Sequence, residues 1–152
     1  MSLGKNARII IVDDDENIRK TMKTILEDEG YVVDLAATGN EAIEMTQETA
    51  CNAVLLDIRL PDMEGVELLK LIKDNIPMTR KIMVTGYPSM QNAISALNKN
   101  ADAYLIKPVD VEKLLIMVKE QLQLRENERK FSEHKVAEFI EKRVKEFSVD
   151  HA

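Results

Sequence analysis

The 152-residue chain is 45% hydrophobic and 32% charged, which allows one buried core and excludes disorder throughout. A net charge of −6 lacks the basic excess that nucleic-acid binding usually needs, and a single cysteine excludes an internal disulfide or a cysteine-based metal cluster. No apolar run is long enough to span a membrane; with Cys51 read as a buried structural thiol, a cytoplasmic setting is expected.

In chain order, residues 8–12 (RIIIV) form the first apolar run, which ends abruptly in Asp13, Asp14, Asp15 and Glu16. A helical pattern covers about 15–29, with Asp15 suited to its first turn and Gly30 standing where it should stop. A second strand is expected over 32–36. The next helix, over 39–49, carries Glu41, Ala42, Met45 and Glu48, and Gly39-Asn40 reads as its opening turn. The third strand, 53–56, ends in Asp57. Val66, Leu68, Leu69, Leu71 and Ile72 give a helical stripe over 64–74 with Gly65 at its start. The fourth strand, 82–84, is followed by Thr85-Gly86, and a further helix is expected over 88–98. The fifth strand, 103–106, is followed by Lys107-Pro108, and helix resumes from 110.

Five βα units predict an α/β fold: a doubly wound parallel sheet with helices on both faces. Strands of Val, Ile and Leu without polar alternation suit burial on both sides. In such folds the working site lies at the carboxyl ends of the strands. That rim then gathers three carboxylates, a hydroxyl and an ammonium. Grouped carboxylates make a hard oxygen site for Mg²⁺. A carboxylate can also act as a nucleophile toward phosphorus. Lys107 and Thr85 could then serve the phosphoryl oxygens as point charge and hydroxyl donor. Taken singly, each residue is an ordinary turn, cap or surface group; what argues for function is their convergence at the ends of the right strands.

On these residues the chain resembles the response regulator receiver domain of two-component signalling, over about 7–122. The acidic pair matches Asp13 and Asp14 in VDDDE. The phosphoacceptor matches Asp57 in LLDIRLPDMEG, with Leu60-Pro61 and Gly65 at the family's spacing. The switch hydroxyl matches Thr85 in MVTGYP, the lysine matches Lys107 before Pro108, and the rotating aromatic matches Tyr104. The resemblance implies a flavodoxin-like five-stranded sheet of order 2-1-3-4-5. It implies that Asp57 takes a phosphoryl group from a phosphohistidine of a partner histidine kinase or phosphotransfer protein. Mg²⁺ would be held by Asp14, Asp57 and the backbone carbonyl of Arg59, with Asp13 acting through water. Catalytic roles fall to Asp57, Lys107 and Thr85, and the Lys107–Pro108 peptide is expected to be cis. The output would be a changed face of the fourth helix, fifth strand and fifth helix, read by an output domain, a target protein or a second copy. Large side chains at Arg59 and Tyr87 are expected to slow loss of the phosphoryl group to water.

Residues 123–152 form a helical extension or linker: the fifth helix prolonged, or a second helix after a break near Ser132. The run 125–130 reads as solvated charge, and Val136, Phe139, Ile140, Val144 and Phe147 recur at helical spacing. Both histidines, His134 and His151, lie in this tail, and a solvated role is expected for them. Three other readings compete. A haloacid-dehalogenase-type phosphatase would want an Asp two residues after Asp57, where Arg59 stands. A flavodoxin-like cofactor binder would want a phosphate-cradling loop after the first strand, where DDDE repels phosphate. A receiver-like docking module that is never phosphorylated, working through its tail, is the remaining alternative.

Overall fold

The computed structural model describes residues 6–72, 78–86 and 101–150, with side chains in the last helix up to residue 146. Five strands, β1 (Arg8–Val12), β2 (Val32–Ala36), β3 (Ala53–Leu56), β4 (Arg80–Thr85) and β5 (Ala103–Ile106), form one parallel sheet of order β2-β1-β3-β4-β5. Helices α1 (Glu16–Asp28), α2 (Gly39–Glu48) and α3 (Gly65–Leu71) and a C-terminal helix (Val111–Asp150) accompany it. The helix expected over 88–98, together with Tyr87, lies outside the described residues, as do 73–74 of the third helical stripe and His151.

Central β1 explains the two-sided core. Its residues alternate between faces, and from Ile9 to Val12 all are buried. Ile9 and Ile11 join Met22 and Leu26 of α1 and Leu114, Val118 and Leu122 of the C-terminal helix. Ile10 and Val12 join Ala42 of α2 and Leu68, Leu69 and Ile72 on the other side. Each such side chain contributes about 1.5–3 kcal/mol of burial, so this strand fixes both layers.

The helix ends follow local chemistry. Asp15 caps α1, accepting from the Asn17 and Ile18 amides at 2.9 and 3.2 Å. Gly30, at φ 96°, ends α1, with its amide on the Glu27 carbonyl and that of Tyr31 on Leu26. At α2 the sequence expectation needs correcting: Gly39 is already helical, and Thr38 is the cap, its Oγ1 accepting from the Glu41 amide at 3.1 Å. Strand β4 also begins two residues earlier than expected and includes Thr85. Charged Arg80 and Lys81 disguise it, but their amides are paired with the Asn52 carbonyl and the Asp102 carboxylate.

The C-terminal helix runs 40 residues without a break at Ser132, a length of about 60 Å. Its charge run is not wholly solvated. Arg125 is half-buried, and Arg80 pairs with both Asp102 at 3.3 Å and Glu128 at 3.2 Å. Beyond this, every residue over 133–146 is exposed, including Val136, Phe139, Ile140 and Val144. Among the described residues no helix is long and apolar enough to cross a membrane.

Candidate functional site

Parallel register builds the site. Val12 pairs with both Ala36 and Leu56, so Asp13 and Asp57 leave the sheet side by side. The Asp57 amide donates to the Val12 carbonyl and that of Asp13 to the Ala36 carbonyl, both at 3.1 Å. Thr85, fully buried, pairs with Ile106, which brings Lys107 to the same rim; the Lys107 amide donates to the Thr85 carbonyl at 2.7 Å. The Lys107–Pro108 peptide is cis.

Carboxylate oxygens of Asp13, Asp14 and Asp57 lie within 4.8 Å of one another. Asp13 and Asp57 are buried, while Asp14 is exposed. The Lys107 ammonium sits between the two buried carboxylates, donating to Asp13 Oδ2 at 2.7 Å and Asp57 Oδ2 at 2.8 Å. Burial is the largest influence on this ammonium and pushes its pKa down. The hydrogen bonds it donates to Asp13 and Asp57, with the charges of those carboxylates, outweigh it, and the pKa ends above the ordinary lysine value. The other oxygen of Asp13 accepts from the Asp15 amide at 2.9 Å. The other oxygen of Asp57, Oδ1, is buried and has no hydrogen-bond partner among the described residues. An anionic oxygen left so is costly unless a cation completes it. The acidic pocket therefore suits a hard divalent ion such as Mg²⁺.

Residues 9–119 match the family model described as the response regulator receiver domain. The chain belongs to that family. It is 39% identical over 119 residues to the transcriptional regulatory protein ZraR of Klebsiella oxytoca, covering 78% of this chain and 27% of that protein. It thus spans about a quarter of the length of the curated relatives it matches. The receiver domain protein (CheY-like) of Methanospirillum hungatei JF-1 is 50% identical, with a TM-score of 0.73 over 80% of this chain and 98% of that one. The response regulator TrrA of Thermotoga maritima, solved in complex with Mg²⁺ and BeF, is 31% identical, with a TM-score of 0.68 over 76% of this chain and 98% of that one.

The receiver fold thus brings together Asp13, Asp14, Asp57 and Lys107, and sets Thr85 on the neighbouring strand end. Arg59 is exposed, in a loop closed by an antiparallel bridge to Glu64. Gly65 is needed for close approach: a Cβ there would come under 3.0 Å from the Asp57 carbonyl oxygen. Tyr104 pairs in register with Met83 and is 39% exposed, on the outer strand of the receiver sheet. Two residues escaped the sequence reading. Arg19 reaches from α1 to donate to the Asp13 carbonyl at 2.6 Å, and Asp62 bonds two amides of α2. Arg19 carries no signal in its spacing, and Asp62 resembles any turn aspartate.

Proposed function

We propose that this receiver is a phosphorylation-controlled signalling switch in which Asp57 is the acceptor. The donor is a phosphohistidine on a partner histidine kinase or phosphotransfer protein. The phosphorus–nitrogen bond breaks as a bond forms from an Asp57 carboxylate oxygen to phosphorus. The imidazole leaves with the bonding electron pair. The observation that carries the reading is the buried, unpartnered Oδ1 of Asp57, with Lys107 holding the other oxygen of the same carboxylate.

The fitting ion is Mg²⁺, held by Asp14, Asp57 and the Arg59 carbonyl. When bound it supplies positive charge to the phosphoryl oxygens. Asp13 acts through water, which is supported by both of its oxygens already being engaged by Lys107 and the Asp15 amide. Lys107 shifts from bridging two carboxylates to neutralising the added phosphoryl charge, and Thr85 donates its hydroxyl to it. Charge-assisted hydrogen bonds of about 1.5–3 kcal/mol each, made only in the phosphorylated state, can supply the roughly 5.5 kcal/mol that inverts a 1:99 equilibrium. The receiver unit is 7–122, and 123–152 form a helical extension toward an output domain or target. The kinase and the output would place the chain in the cytoplasm.

Acetyl phosphate or beryllofluoride with Mg²⁺ tests this. Intact mass should show one phosphoryl adduct, or fluorine resonances a bound beryllofluoride, and both should vanish in Asp57→Asn and in metal-free buffer. A protein that takes neither reagent at Asp57 is instead the docking module that works through its tail.

A further inference from the structure

The loop from Ile58 to Gly65 follows the strand that ends in Asp57 and carries the Arg59 carbonyl, which the proposed function gives to the metal. Its own bonds make it a narrow hairpin: Gly65 donates to Ile58 at 2.6 Å, Leu60 to Met63 at 3.1 Å, and Arg59 bridges Glu64. At the tip, Pro61 and Asp62 are exposed, and the hairpin's own bonds do not tie it to the rest of the fold. The anchor is Asp62. Its Oδ1 accepts from the Gly39 amide and its Oδ2 from the Asn40 amide, both at 2.9 Å. These are first-turn amides of α2, which no helical carbonyl can satisfy. The Asn40 and Gly39 amides hold the Asp62 carboxyl below the usual carboxylate value, so it is an anion at neutral pH. Beside it, Met63 fills the space over Gly39, where any Cβ would collide with the thioether.

These bonds close a ring around the site. Asp13 donates to Ala36 at the end of β2, and Asp57 donates to Val12. From Ala36 the chain passes through the Thr38 cap to Gly39, and from Asp57 it passes through the hairpin to Asp62. The Asp62–Gly39 and Asp62–Asn40 bonds join the two arms. We infer that Asp62 is a positioning residue for the metal and acceptor site, fixing the hairpin that carries the Arg59 carbonyl by capping α2 from outside that helix. This rests on the reading of Asp57 and Mg²⁺ in the preceding section. The carboxylate touches neither reacting group; it acts by keeping a ligand carbonyl in place before the ion arrives, so that binding does not have to order the loop.

The test is calorimetric titration of the full chain with MgCl₂, paired with amide hydrogen exchange of the metal-free protein. Asp62→Ala should speed exchange at the Leu60 and Gly65 amides and weaken Mg²⁺ affinity about fivefold, the equivalent of about 1 kcal/mol, as expected for a lost cap. Asp62→Asn keeps an oxygen acceptor and should recover most of both. Asp62 is exposed, so both variants should fold. If Asp62→Ala loosens the loop and leaves Mg²⁺ affinity unchanged, Asp62 only caps a helix and the inference falls. It falls equally if exchange does not change, or if Asp62→Asn is no better than Asp62→Ala. Asp57→Asn in the same titration separates the two claims. Mg²⁺ binding that survives Asp57→Asn overturns the site itself, whereas binding lost there and unchanged in Asp62→Ala overturns the positioning role alone.

Discussion

Replacing Lys107 with Met removes the ammonium that bridges Asp13 and Asp57 and leaves a side chain of similar reach. The side chains of Asp13 and Asp57 are only 2% and 7% exposed, and that of Lys107 only 17%. At 2.7 and 2.8 Å each ion pair has a gross attraction of about 6 kcal/mol at an effective dielectric of about 20. Most of that offsets the desolvation of three charges. Breaking a buried pair from one side still costs about 3–5 kcal/mol, because the remaining charges stay buried without a partner. Metal-free Lys107→Met should therefore lose about 3 kcal/mol, lowering Tm by about 10 °C in a domain of this size. Calorimetry with EDTA and then with saturating MgCl₂ reads both parts of the effect. The variant should gain more from Mg²⁺ than the parent, since its carboxylates have no competing cation and stabilisation grows with affinity. The parent has a pH signature as well. The folded-state pKa of Lys107 is raised, so its contribution is complete below the unfolded lysine value of about 10.4 and is lost as pH climbs through the folded value. The stability gap between parent and variant should thus be flat through neutrality and close in strong alkali. A Tm change under about 2 °C without metal, or an equal gain from Mg²⁺ in both proteins, would refute the bridging account.

Two glycines should part company. Gly65→Ala drives a Cβ into the Asp57 main chain, which cannot yield, and should cost about 3 kcal/mol in urea unfolding together with most Mg²⁺ binding; Gly39→Ala meets only the flexible end of Met63 and should cost about 1 kcal/mol. Burial pushes the Cys51 thiol up to about 11, so at pH 8 an aromatic disulfide reagent should react only after denaturant unfolds the chain. Arg59→Ala should speed hydrolysis of the Asp57 phosphoryl group severalfold if that exposed side chain shields it from water; an unchanged half-life of the labelled adduct would dismiss shielding by Arg59.

The strands and the rim were legible because both rest on short-range chemistry. Apolar β-branched runs mark strands buried on two faces, and in a parallel sheet whatever follows each strand arrives at one edge. That is why Asp13, Asp57, Thr85 and Lys107 fall into one group on the sequence alone. What escaped was of another kind. The start of β4 hides behind Arg80 and Lys81, whose amides are satisfied by residues 28 and 21 positions away, Asn52 and Asp102. Arg125 reads as surface charge and is half-buried. Asp62 and Arg19 act through backbone groups 23 and 6 residues distant, which no local pattern announces.

The crowding of four acidic residues after β1 resolves into separate jobs with separate partners. Asp15 belongs to the helix it caps, and Glu16 pairs along that helix with Lys20 at 2.8 Å. Asp13 is neutralised by Lys107 and braced by the Asp15 amide. Asp14 stays in solvent, where an unpaired carboxylate is cheap. Of the acidic groups at the pocket, only the Oδ1 of Asp57 is both buried and without a partner among the described residues. The three carboxylates share one ammonium, so the pocket keeps an excess of negative charge, and one oxygen of the proposed acceptor is left without a donor among the described residues. A cation seated there would be attracted by Asp14 and Asp57, while Lys107 already screens Asp13 and would oppose a second cation close to it. This arrangement favours a single ion beside Asp14 and Asp57, with Lys107 held on Asp13 Oδ2 and Asp57 Oδ2.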